Sequence, residues 1–269
     1  MPTFSRAFGQ TRLQLHFAER GASDGMPVVL THGLLWSSRM MEGLAARLPD
    51  QRVLLLDLHG HGKSDRPTDP SAYTWASLAG DVIALLDHLE IDQAVIGGLS
   101  LGANVTLAAG QRHPERVKAM IVEMPVLRRG EPFGRPAFGA MAGAYEAGGR
   151  SMTALAGLVR KLPLPRGVPE LAALRDVAGA EPAVAVAVLR GLLAEDLIPD
   201  DSATIARMHM PALVIGHRRD PVHVLDDARD LARRLPKGEL VEASSIAEFR
   251  LHPERLAAHV RHFLERLPA

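Results

Sequence analysis

Cysteine is absent from the 269 residues of the chain. Its absence excludes disulfide bonds, thiol catalysis and cysteine-ligated metal sites, and it fits a reducing compartment. The sequence also lacks an excess of charge of either sign, because 31 Lys and Arg balance 31 Asp and Glu. A chain with no net charge has no evident electrostatic footprint for nucleic acid or an anionic membrane, so neither partner is expected.

Long apolar runs are missing as well. No stretch approaches the roughly 18 uninterrupted apolar residues that favour a membrane-spanning helix. The first residues, MPTFSRAFGQTRLQLHFAERG, contain no basic segment followed by a long apolar run, so no secretory signal is expected. We therefore expect a cytoplasmic protein, either a monomer or a small oligomer such as a homodimer.

The chain does contain enough apolar material for one large core, since 47% of its residues are hydrophobic and 23% are charged. Short β-rich runs alternate with longer helical patterns, an order typical of a doubly wound, mostly parallel α/β sheet. The predicted strands are RLQLHFAER, expected at an edge, and the buried runs PVVLTHG, RVLLLDLHG, QAVIGGLS, VKAMIVEMP, PALVIGH and GELVEAS.

The alternation stops between residues 127 and 210. This segment is rich in Ala, Gly and Arg, is punctuated by proline, and contains no clear strand. Its predicted helices are AFGAMAGAYEA, SMTALAGLVRKL, ELAALRDVA and PAVAVAVLRGLLAE. We predict that residues 1–126 and 211–269 form the α/β core, and that residues 127–210 form a helical lid inserted after the sixth strand.

The strongest chemical motif is the run GGLSLG, in which Gly98, Ser100 and Gly102 form the pattern G-x-S-x-G. It directly follows a predicted strand and directly precedes a predicted helix. A serine on such a turn projects its hydroxyl above the sheet, with the amino end of the helix behind it. We predict that Ser100 is a nucleophile.

A second motif, THGLLWSS, ends an early predicted strand. The backbone N–H of Leu34 is expected to point where an acyl oxyanion forms, and Leu101 is expected to supply the other donor. Gly33 and Leu35, beside these donors, are expected to contact the substrate. His32 is interpreted as a residue that shapes the turn.

A third motif, DLHGHGKSDRP, follows the next predicted strand. His59 and His61 lie two residues apart, but no further ligands occur at a spacing typical of a metal site. We predict that this turn packs the edge of the sheet, and we expect neither a metal nor a cofactor.

These motifs, in this order, resemble the α/β-hydrolase superfamily, in its serine-nucleophile, esterase- and lactonase-like branch. The resemblance covers nearly the whole chain. It implies a Ser–acid–His triad in that chain order, an oxyanion hole and a lid that shapes the substrate pocket. Serine at the elbow argues against the dehalogenase and epoxide-hydrolase branches, which place an aspartate there.

Two carboxylates are candidates for the triad acid. The run PALVIGHRRDPVH resembles the penultimate strand and acid loop of the superfamily, which puts Asp220 at the acid position. Glu123 ends the strand that follows the elbow helix, and some branches of the superfamily draw their acid from that strand.

The histidine that the resemblance implies is not at its usual place. It belongs in the loop several residues before Pro253–Glu254, where the chain contains Ser245, Ile246 and Ala247. We expect Ile246 to form an apolar wall of the pocket. The resemblance therefore implies an atypical or missing catalytic histidine.

Five other histidines are alternatives for the base. We favour His223, in the acid loop, because that loop neighbours the elbow in this fold. His252 would require its loop to fold back, and His217 ends a predicted strand. His259 and His262 are expected on or near the packing face of the last helix. With His223 as base, Asp220 is expected to lie too near in sequence to orient it well, which favours Glu123.

The sequence thus predicts a serine hydrolase of small carboxylic esters or related acyl compounds, acting through an acyl-enzyme. Two alternatives stay open at this point. One is a non-catalytic protein that binds small molecules on a hydrolase scaffold. The other is a lyase or C–C bond hydrolase with a different acid–base arrangement.

Overall fold

A computed structural model describes residues 2–161, 175–196, 202–245, 248 and 252–268. Its centre is an eight-stranded sheet. The strands are β1 (Thr3–Phe8), β2 (Thr11–Gly21), β3 (Pro27–Thr31), β4 (Arg52–Leu56), β5 (Ala94–Leu99), β6 (Val117–Glu123), β7 (Ala212–His217) and β8 (Gly238–Ala243).

The strand order is β1-β2-β4-β3-β5-β6-β7-β8. β1 and β2 pair antiparallel, β2 and β4 pair antiparallel, and every other neighbouring pair is parallel. The predicted mostly parallel sheet is confirmed. The prediction that RLQLHFAER lies at an edge is wrong, because the amino-terminal strand β1 covers it on the outer side.

The strands are buried because their side chains alternate between two apolar cores, one on each face of the sheet. Val29, Leu54 and Ile96 pack on one face. Leu30 and Leu55, one residue further along their strands, pack on the other face. Strands that are covered on both faces take near-continuous apolar sequences, as these do.

Helices cover both faces of the sheet. The α-helices are α1 (Glu42–Ala45), α2 (Trp75–His88), α3 (Leu101–Arg112), α4 (Glu131–Lys161), α5 (Pro182–Ala194), α6 (Ser202–Ala206), α7 (Leu225–Arg234) and α8 (Glu254–Glu265). Short 3₁₀ turns occupy Ser38–Met41, Pro70–Ala72 and Pro114–Arg116. None of the described helices is long and apolar enough to cross a membrane.

A helical insertion follows the sixth strand, as predicted. Helix α4 merges two of the predicted helices, with a break at Gly149, where the backbone adopts φ 46° and ψ −134°. Helix α5 corresponds to PAVAVAVLRGLLAE. The exact lid boundaries, residues 127 and 210, stay a prediction.

The parallel strands bring the chemically interesting segments to one edge of the sheet. Thr31 pairs with Gly98, Leu99 with Glu123, and Glu123 with Ile215. Ligands of open α/β sheets bind outside the carboxyl ends of the strands. The residues that follow β3, β5, β6 and β7 therefore meet at the edge where a site is expected.

Candidate active site

Ser100 stands on the sharp turn between β5 and α3, with backbone angles φ 54° and ψ −109°. This conformation is strained for a residue with a side chain, and such strain clusters at functional sites. Neighbouring backbone holds the turn: the Ser100 N–H donates to the carbonyl of Glu123 at 2.9 Å, and the Gly102 N–H donates to that of His32 at 3.0 Å.

Glycine is required on both sides of Ser100 because strand β3 and helix α3 pass very close. A Cβ on Gly98 would lie 2.3 Å from the Gly102 backbone and 2.5 Å from Oγ1 of Thr31. A Cβ on Gly102 would lie 2.5 Å from the carbonyl oxygen of Thr31. The spacing G-x-S-x-G is thus a packing requirement of this turn.

We expect Gly102→Ala to destabilise the fold by about 1–3 kcal/mol, the usual cost of forcing extra atoms into a packed site. The measurement is the urea midpoint of unfolding. Gly143→Ala is the matched control, since Gly143 lies within α4 with nothing within 4 Å of a Cβ. That control is expected to stabilise by about 0.5–1 kcal/mol. Equal midpoints for the two variants would contradict the packing argument.

A chain of two hydrogen bonds links Ser100 to a carboxylate. Oγ of Ser100 lies 2.9 Å from Nε2 of His223, and Nδ1 of His223 lies 2.7 Å from Oδ2 of Asp220. Asp220 as a carboxylate can only accept, so Nδ1 carries the hydrogen and the neutral ring presents the lone pair of Nε2 to Ser100. This arrangement can remove the hydroxyl proton during attack on a carbonyl.

Asp220 orients His223 from within a single tight turn. Its Oδ1 accepts the backbone N–H groups of Val222 and His223, both at 2.9 Å, which leaves Oδ2 for the imidazole. The expectation that Asp220 lies too near in sequence to orient His223 is therefore wrong. The turn bends the chain so that residues three apart face each other.

The charge of Asp220 is maintained by the same contacts. Burial alone would raise the pKa of Asp220, but hydrogen bonds from the side chain and backbone of His223 and from the Val222 N–H outweigh burial and lower the pKa to about 2. A depressed carboxyl pKa stabilises the fold above its ordinary value of 3.8, and this stabilisation is lost as the pH falls through about 2. Asp220 thus stays ionised at neutral and mildly acidic pH.

Glu123 occupies a different position from the one expected of an orienting acid. Its side chain is buried, and Oε1 lies 3.2 Å from Nε2 of His217, within ion-pair distance but outside hydrogen-bond geometry. Nδ1 of His217 faces the carbonyl of Ser245 at 2.8 Å. Because Nδ1 of His223 has one hydrogen and gives it to Asp220, the preference for Glu123 as its orienter is corrected. The backbone carbonyl of Glu123 instead accepts the N–H of Ser100 and so stabilises the elbow turn.

We expect replacement of each of the two acids by its amide to have very different effects on turnover. Asp220→Asn should lower turnover of an ester substrate by about 10³–10⁴, because an amide donor facing Nδ1 favours the wrong tautomer of His223. Glu123→Gln should retain turnover within about tenfold of wild type. Steady-state kcat of both variants, with thermal unfolding to verify folding, is the measurement. The reverse order of effects would return the orienting role to Glu123.

Two backbone N–H groups near Ser100 are available to a ligand. Within the described residues, the N–H groups of Leu34 and Leu101 have no protein acceptor. Leu101 is the first residue of α3, where unpaired N–H groups and the helix dipole favour negative charge. Both residues line the cavity that contains Ser100. Their role as an oxyanion hole stays a prediction.

His32 holds the turn that carries Leu34. The Leu58 N–H donates to Nε2 of His32 at 3.2 Å, so Nδ1 carries the hydrogen and donates to the carbonyl of Gly33 at 2.9 Å. Burial lowers the pKa of His32, which keeps the ring neutral. Leu35, three residues after His32, adopts φ 57°, and this left-handed conformation completes the sharp turn.

The cavity beside Ser100 is mainly apolar and lies under the lid. Its lining residues are Leu34, Trp75, Ser100, Leu101, Asn104, Val126, Glu131, Arg135, Phe138, Leu189, Leu192, Leu193 and Glu195. Gly33 and Leu35, expected to contact the substrate, are not in this lining. Leu35 is instead buried against the lid residues Ala142 and Tyr145. A Cβ on Gly33 would meet the ring of Trp36.

Within the described residues, none of the remaining histidine candidates makes a hydrogen bond with Ser100. His252 is exposed, and its N–H donates to the carbonyl of Glu248. His259 and His262 are exposed as well, so their expected place on the packing face of α8 is corrected. That face is formed by Leu256, Val260 and Phe263. Ile246, the expected apolar wall, lies outside the described residues.

The two histidines of the third motif are buried, and each makes contacts within the protein. Nδ1 of His59 lies 2.6 Å from Oδ2 of Asp81, and Nδ1 of His61 lies 2.9 Å from the carbonyl of His59. Burial lowers the pKa of His61 to about 3, so its ring is neutral. Across the part of the chain that the structure describes, no cluster of three or more potential ligands is placed to hold a metal ion.

Several residues of the site have no clear signal in the sequence. Asn104 exchanges two hydrogen bonds with the backbone of Val126, which positions the loop after β6 beside Ser100. Glu131 and Arg135, which line the cavity from the lid, form an ion pair. Their spacing of four residues within a predicted lid segment is a signal for an ion pair, but it does not reveal that the pair faces the nucleophile.

Comparison with known proteins agrees with this architecture. Residues 26–151 match a family model described as alpha/beta hydrolase fold. An epoxide hydrolase of Caballeronia sordidicola is 36% identical over 124 residues, which are 44% of this chain and 36% of that protein. The 3-oxoadipate enol-lactonase 2 of Acinetobacter baylyi is 28% identical over 242 residues, 87% of this chain and 86% of that protein. The chain therefore spans most of the enol-lactonase but only about a third of the length of the epoxide hydrolase.

Solved structures are similar over nearly the whole chain. The enol-lactonase from Burkholderia xenovorans LB400 has a TM-score of 0.76 and 26% identity, with 94% of this chain and 97% of that chain covered. A thermophilic esterase from Thermogutta terrifontis has a TM-score of 0.79 at 23% identity, with both chains fully covered (100% each). The second likeness establishes the fold alone.

Proposed function

From the α/β-hydrolase fold of this chain, we propose that the protein is a serine hydrolase. It cleaves small carboxylic esters or related acyl compounds through an acyl-enzyme intermediate. The observation that carries the proposal is the relay of Ser100, His223 and Asp220, with successive contacts of 2.9 and 2.7 Å. Nucleophile, base and orienting acid are thereby assigned to side chains already in hydrogen-bond contact.

In the first half-reaction, Oγ of Ser100 attacks the carbonyl carbon while Nε2 of His223 takes its proton. The tetrahedral oxyanion accepts hydrogen bonds from the N–H groups of Leu34 and Leu101. Preset donors of this kind are typically worth several kcal/mol of barrier. Collapse expels the alcohol oxygen, which takes the proton from His223, and leaves the acyl group on Ser100.

In the second half-reaction, His223 takes a proton from a water molecule as its oxygen attacks the acyl carbon. The new tetrahedral intermediate uses the same two donors. Its collapse releases the carboxylic acid and returns the proton to Ser100. Asp220 keeps one ring orientation throughout and stabilises the imidazolium that forms twice in the cycle.

The lining of the cavity supports an apolar acyl or alcohol portion. Trp75, Phe138 and Leu189 are among the side chains that surround Ser100. The amide of Asn104 is already engaged by Val126, so it supplies little polar recognition. Apolar pockets with few polar groups favour apolar ligand parts.

The alternatives to a hydrolase lose their main support. The binding-protein hypothesis depended on the absence of a histidine near the nucleophile, and His223 now stands in contact with Ser100. Epoxide hydrolysis, suggested by the partial relative, requires an aspartate at the elbow according to the resemblance, and the elbow residue is Ser100. No specific observation favours a lyase or a C–C bond hydrolase.

A fluorophosphonate probe tests the proposal directly, because only an activated serine reacts quickly with it. We expect rapid addition of one probe mass, mapped to Ser100, together with turnover of short p-nitrophenyl esters. Heat-denatured protein serves as the control for non-specific labelling. A folded protein that neither labels nor hydrolyses any ester of the series would overturn the proposed function.

A further inference from the structure

Three charged side chains are among the residues that line the mainly apolar Ser100 cavity. They are Glu131 and Arg135 of α4 and Glu195, which directly follows α5. Arg135 is the only cation in the described lining, which also contains these two carboxylates. The charged side chains of the described lining therefore sum to one negative charge.

The guanidinium of Arg135 is already committed to the lid. Its Nε donates to Oε1 of Glu131, and its two terminal nitrogens donate to the carbonyls of Leu193 and Glu195, each contact being 2.7 Å. Those carbonyls belong to the end of α5, where backbone acceptors lack intrahelical partners. Arg135 thus caps the carboxyl end of α5. Its guanidinium donates hydrogen bonds to protein groups and is not free to pair with a ligand.

Glu195 is held in place by the core. Its Oε2 accepts the backbone N–H of Trp75 at 3.2 Å. The side chain of Trp75 also donates from Nε1 to the carbonyl of Asp196 at 3.0 Å. The first of these contacts anchors the carboxylate of Glu195 to the backbone of Trp75, a neighbouring residue of the cavity lining.

We propose that Glu131 and Glu195 make the site select substrates whose acyl portion is uncharged and reject acyl portions that end in a carboxylate. This inference rests on the proposed function and narrows its substrate class. The physical basis is like-charge repulsion in a partly desolvated cavity, where Coulomb interactions are stronger than in water. Specificity of this kind often comes from a built-in repulsive element.

The test compares two p-nitrophenyl esters of glutaric acid with the same leaving group. One has a free carboxylate at the far end of the acyl chain, and the other has that group capped as a methyl ester. We expect the wild-type protein to favour the capped ester by about 100-fold or more in kcat/KM. Succinate and adipate pairs extend the comparison to shorter and longer acyl chains.

Glu131→Gln and Glu195→Gln each remove one negative charge while keeping an oxygen that accepts the native hydrogen bond. Each is expected to raise kcat/KM for the anionic ester relative to that for the capped ester about tenfold, equivalent to about 1.4 kcal/mol. Glu146→Gln is the matched control. Glu146 also pairs with an arginine of α5, Arg190, but it lies outside the cavity lining. It should change neither rate.

The outcomes separate this inference from the proposed function. Equal rates for the two esters in the wild-type protein, at all three chain lengths, overturn the selectivity alone. The selectivity mechanism also fails when Glu146→Gln changes the ratio of the two rates as much as Glu131→Gln and Glu195→Gln do. The absence of turnover for every ester, capped or anionic, overturns the proposed function and the selectivity with it.

Discussion

Ser100→Ala should lower ester turnover by about a millionfold and abolish labelling by a fluorophosphonate. Loss of a triad serine has an effect of this order because the remaining groups have no nucleophile to activate. The fold should persist, because the Ser100 side chain makes one hydrogen bond, to His223, and alanine retains the Cβ that the strained turn already accommodates. The measurements are kcat for a p-nitrophenyl ester, intact mass after labelling, and the melting temperature.

The control for this prediction is Ser77→Ala, on α2, because Ser77 is not among the residues that line the cavity. It should retain full turnover and full labelling. Activity of Ser100→Ala within tenfold of the wild-type value would remove Ser100 from the mechanism. A large fall in the melting temperature would show that the hydroxyl also supports the elbow.

The elbow could be recognised from the sequence because its signals are contiguous in the chain. Gly98 and Gly102 are dictated by the close approach of Thr31, and the apolar strand before Ser100 and the helix after it have clear patterns. The pattern that marks the turn therefore lies within one short segment, although the packing that requires the glycines comes from β3. The same holds for the His32 turn, whose contacts with Gly33 and Leu58 lie at the ends of neighbouring strands.

The partner of His223 could not be predicted in the same way. Its orientation depends on how Asp220 folds the loop between β7 and α7, where one carboxylate oxygen takes two backbone N–H groups and the other takes the ring. Sequence distance suggested that such neighbours do not face each other, and the turn geometry reverses that expectation. Edge strand β1 was missed for a related reason, since only its pairing with β2 makes it a strand.

The charged groups of the cavity were missed because their neighbours come from distant segments. Arg135 meets the carbonyls of Leu193 and Glu195 across about 60 residues, and Glu195 meets Trp75 across 120 residues. No periodicity within α4 or α5 shows which turn of each helix faces Ser100. The substrate class thus depends on how the lid packs over the sheet, which is tertiary information.

His223→Ala should lower ester turnover by several powers of ten, because no other described imidazole contacts Ser100. His252→Ala, His259→Ala and His262→Ala are the controls; all three side chains are exposed, and each variant should retain turnover within about twofold. The measurement is kcat at saturating ester, with circular dichroism to verify folding.

The double variant Ser100→Ala/His223→Ala separates catalysis from structure. Residues that act as one unit are strongly non-additive, so the double variant should be no slower than Ser100→Ala alone. The alternative is that His223 serves only to hold the Asp220 turn. In that case His223→Asn, whose side chain retains a hydrogen-bond donor for the Asp220 carboxylate, should recover most of the turnover. Full activity of His223→Ala would reject the base assignment and leave His252, which directly precedes Pro253, as the alternative base.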